Sequence, residues 1–563
     1  MNTLKKIIAG HLMLWAAMAH ADVEVTPATV QAFDQVFREL DSPDKPAVAV
    51  ALFKKDKLIY QKVFGSTNLE YKVGATVETK FQIDTLAWEF IAYATLMLES
   101  QGKLALNDDI KKYLPELPEF ADKVTINHLL SSTDGVYGYK VLKALAGWEP
   151  SGADQQQNVI ALIKRQKDLS FRPGTMFSPG SDTRLILLAK IVESISGQTF
   201  DAFCREHIFA PLGMSNTVFL SDSGTLLENT ATPYRDMGKG WYKTDYGSRS
   251  VPGPVNLYTS IRDFSTWRSA ILSPKGSMTS PARKLGLPIK LDNGDIIKDI
   301  SSISIYGQQH AGKERGIPKI YQLGSHGGYA SSIFRFPQQD ITVMVLSSGL
   351  AYNGSYAMRT ASILLKDDFT EAETIDYSNI KSVPLSTEQL QKFAGNYWSP
   401  TRALAAKVYV RDGALYYSRL EGTERALIPL SASLFQMKID GDDEYHIQFK
   451  GQAMHFSMAG SDPVIFEPYT AASYTPAELA QFSGVFYSEE INASFVVDAS
   501  SGTLTAQSLQ AGNVMLKPVK ADVFYGNKSF MAGITFERGK NNEIVGFHVT
   551  VDEVRHLKFK KLR

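Results

Sequence analysis

The chain has 563 residues, 44% of them hydrophobic, and its 59 basic and 59 acidic side chains cancel to a formal net charge of zero. Phosphate binding depends on clustered Lys and Arg, and no basic run with interleaved aromatics is present, which argues against nucleic acid as a partner. The single cysteine, Cys204, excludes an internal disulfide, so stability has to come from buried cores, which a chain this long can supply for about two to four domains.

The first residues, MNTLKKIIAGHLMLWAAMAHA, carry the three parts of a secretory signal. Lys5 and Lys6 are the basic part, Ile7 to Met18 the apolar part, and Ala19-His20-Ala21 an A-x-A cleavage site. The apolar run is shorter than the roughly 20 residues of a membrane span, and no later segment is long and apolar enough to make one. Residues 1–21 are therefore expected to be removed, with the mature chain beginning near Asp22, in the periplasm or secreted.

From Asp22 to about Lys366 strand-like and helix-like pieces mix. VAVALFKKDKLIYQKVFG (Val48 to Gly65) predicts a hairpin around a polar KKDK turn. From Thr85 onward, Leu86, Phe90, Ala94 and Met97 recur at helical steps until Gln101-Gly102-Lys103, where the glycine suits a helix end. A second helix is predicted over Leu185 to Ser196, ending at Gly197. SSIFRFPQQDITVMVLSS (Ser331 to Ser348) predicts two more strands across a Gln-Gln-Asp turn. Strands at both ends with helices between imply an α+β layer domain.

Residues 367–384 are acidic, polar and weakly periodic, which marks a linker. Beyond it alternating short strands take over, and the tail repeats. LSTEQLQKFAGNYW (Leu385 to Trp398) aligns with YTPAELAQFSGVFY (Tyr474 to Tyr487), pairing Leu390 with Leu479, Phe393 with Phe482, Gly395 with Gly484 and Tyr397 with Phe486, each 89 residues apart. A short helix followed by a strand, met twice, implies two copies of one β-rich unit, over 385–470 and 471–563.

Residues 22–366 resemble the serine β-lactamase and penicillin-binding-protein superfamily, most closely its class C β-lactamase, D-alanyl-D-alanine carboxypeptidase and D-aminopeptidase branch. The landmarks fall in order: FQID, LESQGKLALNDDIKKYLPELPEF, VTINHLLSSTDGV, FRPGTMFS, IVESISGQTFDAFCREHIFAPLGMSNT, VNLYTSIRDFSTW and SSIFRFPQQDITVMVLSS. The resemblance implies an antiparallel sheet with helices, followed by two barrel-like units as in the D-aminopeptidases. It also implies a serine nucleophile at the start of the first long helix, a lysine at i+3 that takes its proton, a tyrosine from a Y-x-N loop, and an H-x-G or K-T-G strand edge that helps form the oxyanion pocket.

This chain departs at each motif. Phe81 and Ile83 set the register, so the nucleophile position is Thr85 and the lysine position is Trp88. Threonine keeps a hydroxyl that a base could activate, but an indole N–H only donates. In PGTMFSPGSDT the tyrosine position falls on Pro179 counted from Pro173, or on Gly180 counted back from Glu193, and the asparagine position on Ser181 or Asp182. Counting back from Arg335-Phe336-Pro337 puts Gln322 and Gly324 in the H-x-G positions; a competing register, with a four-residue deletion, uses His326-Gly327-Gly328.

Two readings follow for the site. One is a pseudoenzyme that kept the fold, lost acyl transfer, and binds a partner or a peptide, D-amino-acid or lactam-like ligand. The other is a rewired hydrolase or cyclising acyltransferase acting on a peptide, ester or lactam, with Thr85 as nucleophile and Asp182, Glu89 or His326 as base. Their ordinary roles are bland: Asp182 and Glu89 as solvated or capping carboxylates, His326 as a loop residue, Trp88 as a core aromatic. A third reading gives the binding role to the two β-rich units themselves. No cofactor or metal is implied, since His446, His455, His548 and His556 lack ligand spacing.

Overall fold

The opening β-branched run forms the expected hairpin, β1 (Val48–Lys54) and β2 (Lys57–Phe64). Its turn is tighter than KKDK: Lys54 and Lys57 pair within the strands, and Lys55 adopts φ 58°, as two-residue hairpin turns require. Six more strands complete the sheet: β3 (Lys298–Asp299), β4 (Ser302–Ile305), β5 (Gln309–Glu314), β6 (Ile317–His326), β7 (Tyr329–Phe336) and β8 (Ile341–Ser347). They run antiparallel in the order β3-β4-β5-β6-β7-β8-β1-β2. This is a computed structural model; it describes residues 25–148, 156–221, 225–244, 256–299, 302–350, 352–371, 376–378, 380–419, 423–439, 444–458, 463–500 and 502–562. The signal reading of residues 1–21 lies outside them.

Both faces of the sheet are covered by helices, and β1 shows how. Successive strand residues point to opposite faces. Ala49, Ala51 and Phe53 join a core with Phe90, Ile91, Leu188 and Trp267, while Val48, Val50 and Leu52 join another with Phe33, Ala357, Ala361 and Leu365. The second core uses helices α1 (Pro27–Val36) and α6 (Gly354–Leu365). The first uses α2 (Trp88–Ser100), α3 (Tyr139–Ala146), α4 (Thr183–Ser196) and α5 (Ile261–Leu272), although α3 turns most of its apolar face elsewhere. Gly102 and Gly197 sit past the ends of α2 and α4 at φ 69° and 72°, the left-handed conformation that ends helices. At its start α2 differs from expectation: Asp84–Ala87 is a 3₁₀ turn, and the α-helix begins only at Trp88.

The tail forms two closed eight-stranded barrels, one from Gly395–Ser399 to Val464–Tyr469, the other from Gly484–Ser488 to Val554–Lys561. Each opens with the repeated short helix, held by a capping box of Ser386 with Gln389 in one and Thr475 with Glu478 in the other. Leu390 and Tyr397, and their counterparts Leu479 and Phe486, are buried in the respective barrel cores. The second barrel is not an independent bead. Tyr137, Leu142, Leu145 and Leu162 of the first domain share its core with Phe486, Phe495 and Val554. No helix among the described residues is long and apolar enough to cross a membrane.

Candidate active site

Thr85 lies on the 3₁₀ turn, half-buried against the edge of β6. Its Oγ1 donates to the Leu323 carbonyl at 2.6 Å, and Gln322 Nε2 donates to the Thr85 carbonyl at 2.7 Å. These two bonds strap Thr85 to the strand. Gly324 permits the approach, because a Cβ there would meet Ser331 Oγ at 2.6 Å and Ile83 O at 3.0 Å. Gln322 and Gly324 are therefore the strand residues brought against Thr85. His326 sits two residues farther on, half-buried at the end of β6 and not in a loop, lining a separate surface pocket of about 370 Å³ with Tyr234, Arg235 and Asp236.

Asp84, which the motif reading passed over, is the strained residue of the site. It is buried at φ 47°, a left-handed conformation uncommon for a residue with a side chain. That conformation turns its carboxylate onto the strand, where Oδ2 accepts from Ser325 N–H at 2.8 Å. Burial, and then the charge of Asp182, raise the Asp84 carboxyl above its ordinary value; Lys140 and the N–H groups of Ser325 and Thr85 oppose them.

Neither Pro179 nor Gly180, the two residues expected to match the family tyrosine, has a side chain that carries a proton. Pro179 is half-buried and Gly180 exposed. Ser181 is buried with its hydroxyl unpartnered. Asp182 occupies the N-cap of α4 but makes no capping bond with its side chain; it is 4% exposed and ion-paired to Lys140. Neither the solvated nor the capping role fits it, because Lys140 of α3 draws it inward. Two residues on, Arg184 is fully buried, and its Nη1 donates to the Ser181 carbonyl. Burial lowers its affinity for its proton, while Asp134, Asp182 and Glu553 hold the charge in place.

Trp88 is half-buried at the edge of the main core, not inside it. Its ring lies under the Arg184 guanidinium, 4.7 Å from ring centre to Cζ, and its Nε1 is covered with no hydrogen-bond partner. Trp88 thus offers its ring face to a buried cation. Glu89 departs further from its expected solvated role. It is 3% exposed, and its carboxylate accepts from Arg268 at 2.9 Å, Gln309 at 2.6 Å and Trp267 at 3.2 Å.

Residues 33–368, more than half of the chain, match the protein family described as Beta-lactamase. The chain belongs to that family. Over 402 residues it is 30% identical to a penicillin-binding protein of Bacillus subtilis (strain 168), covering 68% of this chain and 85% of that protein. Over 251 residues it is 25% identical to a D-aminopeptidase of Brucella anthropi, covering 44% of this chain and 47% of the relative, about half the relative's length. Among solved structures, the octameric penicillin-binding protein homologue from Pyrococcus abyssi superposes with a TM-score of 0.52 at 21% identity, over 78% of this chain and 99% of that one. The D-amino acid amidase from Ochrobactrum anthropi SV3 complexed with D-phenylalanine gives 0.50 at 17% identity, over 60% and 99%. At those identities the likeness shows the fold alone.

Within this beta-lactamase-family domain the role of Trp88 has a measurable consequence. Truncating a fully buried tryptophan costs about 3 to 5 kcal/mol, and a desolvated cation over the ring adds to it. Half-buried Trp88 is expected to lose roughly 2 to 3 kcal/mol on Trp88→Ala, read by urea unfolding of the purified chain. A loss within about 0.5 kcal/mol, the range of ordinary surface changes, would mean that the indole supports nothing.

Proposed function

We propose that this chain is an exported member of the beta-lactamase family that has lost acyl transfer and acts by binding, with a peptide, D-amino-acid or lactam-like molecule as ligand or a protein as partner. The observation that carries the reading is the Thr85 hydroxyl. A carbonyl oxygen can only accept, so the bond to Leu323 commits the Thr85 proton to a group that cannot take it away. Acyl transfer needs a base for that proton and donors for the developing oxyanion. Trp88 supplies no base, and the Ser325 N–H beside the strand glycine is already spent on the Asp84 carboxylate. Of the other candidate bases, Glu89 is held by Arg268 and Asp182 by Lys140.

Export is supported by the basic, apolar and A-x-A segments of residues 1–21. The ligand class is supported by the relatives, one named a D-aminopeptidase and one solved with D-phenylalanine. The test is incubation of the purified chain with an acylating β-lactam, followed by intact-mass measurement. The mass is expected to stay that of the free protein. A gain of one probe mass, mapped by peptide analysis to Thr85, would replace this reading with a hydrolase that uses threonine.

A further inference from the structure

The turn between the last two strands of the second barrel, Asp552-Glu553, does not end in solvent. It enters the first domain beside the altered tyrosine loop. Gly138 N–H donates to the Glu553 carbonyl at 3.0 Å, Ser170 Oγ to the same carbonyl at 3.3 Å, and Ser178 Oγ to the Asp552 carbonyl at 3.4 Å. Ser170 Oγ in turn accepts from Arg555 N–H at 3.2 Å. The side chain goes deeper than the backbone. A Cβ added to Gly138 would come within 2.2 Å of Glu553 Oε2, and one added to Gly180 within 2.6 Å of Oε1. Gly138 has an ordinary φ of −67°, so its missing side chain provides room and not conformation.

The seat is a poor one for a negative charge. Glu553 Oε2 is covered and has no hydrogen-bond partner. From α4 it faces the buried Asp182 carboxylate and the Arg184 guanidinium, and from α3 it faces Lys140. Lys140 is already paired with Asp182, and Arg184 is shared with Asp134. On its own turn stands Asp552, which pairs outward with Arg402 of the first barrel at 3.2 Å. Lys140 and Arg184 are thus divided among four acids, Asp84, Asp134, Asp182 and Glu553.

We propose that this turn is a proton-operated latch over the old active site: it seats between Gly138 and Gly180 when Glu553 is protonated, and it lets go when Glu553 ionises against Asp182. The sign follows from linkage. Burial, and then Asp182, push the seated Glu553 carboxyl up to about 7, against the pull of Lys140 and Arg184. A free, solvated glutamate titrates near 4.3, at about the ordinary value. The seated form therefore holds the proton more tightly. Its extra stability is complete below the free value and is lost as pH rises through about 7. Between pH 6 and pH 8 the latch equilibrium shifts by about tenfold toward open. A ligand would find the cleft shut in acid and accessible at neutral to alkaline pH. Neither the inference nor its test depends on whether Thr85 acylates.

The test is hydrogen–deuterium exchange of the full chain at pH 6 and pH 8, corrected for the intrinsic rate, read at the Gly138 and Arg555 amides that bond across the latch. Opening is expected to increase about tenfold from the lower to the higher pH. Glu553→Gln keeps the shape without the titration, and is expected to hold the closed level of protection at both values. Gly138→Ala crowds Oε2, and is expected to leave the two amides unprotected at both values while the rest of the domain keeps its protection. Equal wild-type opening at the two pH values would overturn the proposal. So would a tenfold pH response retained in Glu553→Gln, or wild-type protection in Gly138→Ala.

Discussion

The double substitution Thr85→Ser with Trp88→Lys is expected to leave hydrolysis of a chromogenic β-lactam or a D-amino-acid amide at the background rate. It installs the serine and the lysine that the family resemblance implies, but three obstacles remain. The tyrosine position still holds Pro179 or Gly180, so nothing hands a proton to the leaving group, and one such transfer is worth roughly 10² to 10⁴ in rate. The Ser325 N–H still points at Asp84, and the loss of one oxyanion donor costs about 10² to 10³. The new ammonium also meets Arg184, which now stacks on the indole 4.7 Å away and is fully buried. Two cations there repel at close range, so the double mutant should also unfold at lower urea than the parent. Rates in the range of active relatives from this double mutant would mean that Asp84 and the loop are no barrier.

The fold was legible for definite reasons. The unbroken apolar run of Val48–Phe53, buried on both faces, and the helical spacing from Leu86 to Met97 record burial directly, and the repeat 89 residues apart records the two barrels before any contact is known. The register set by Phe81, Ile83 and Arg335 pointed to Thr85, Gln322 and Gly324, three residues that the fold brings together. Three things were not legible. The φ of 47° at Asp84 turns its carboxylate onto Ser325, and no pattern in FQIDTLAWEF signals it. Glu89 and Asp182 carry the residue types that usually face water, and only their meetings with Arg268 and Lys140 explain their burial. Glu553 sits in a polar hairpin turn like many others in the tail. Its place in the site is decided by how the second barrel packs on Tyr137, Leu142 and Leu145.

Glu89→Ala is expected to give the largest stability loss in the first domain, about 3 to 5 kcal/mol. Glu89 opens the main helix on the core side, where a carboxylate would be ruinous alone. It is tolerated because four hydrogen bonds from three groups satisfy it: Arg268 to both oxygens at 2.9 and 3.3 Å, Gln309 at 2.6 Å and Trp267 Nε1 at 3.2 Å. Arg268 is itself only 3% exposed, and Arg335 stands near enough for the two positive charges to act on each other. Removing the carboxylate strands a buried guanidinium beside another cation and strips Trp267 of its acceptor. The pair need not be a net source of stability, since a well-packed apolar substitute is often as good. Glu89→Ala alone should be severe, whereas adding Arg268→Met to it should recover a large part of the loss, with a coupling energy of about 2 kcal/mol or more in a double-mutant cycle. Strictly additive losses would mean that the two groups act separately. A Glu89→Ala protein as stable as the parent would mean that the carboxylate is free of Arg268 in solution, and would return it to consideration as a base for Thr85.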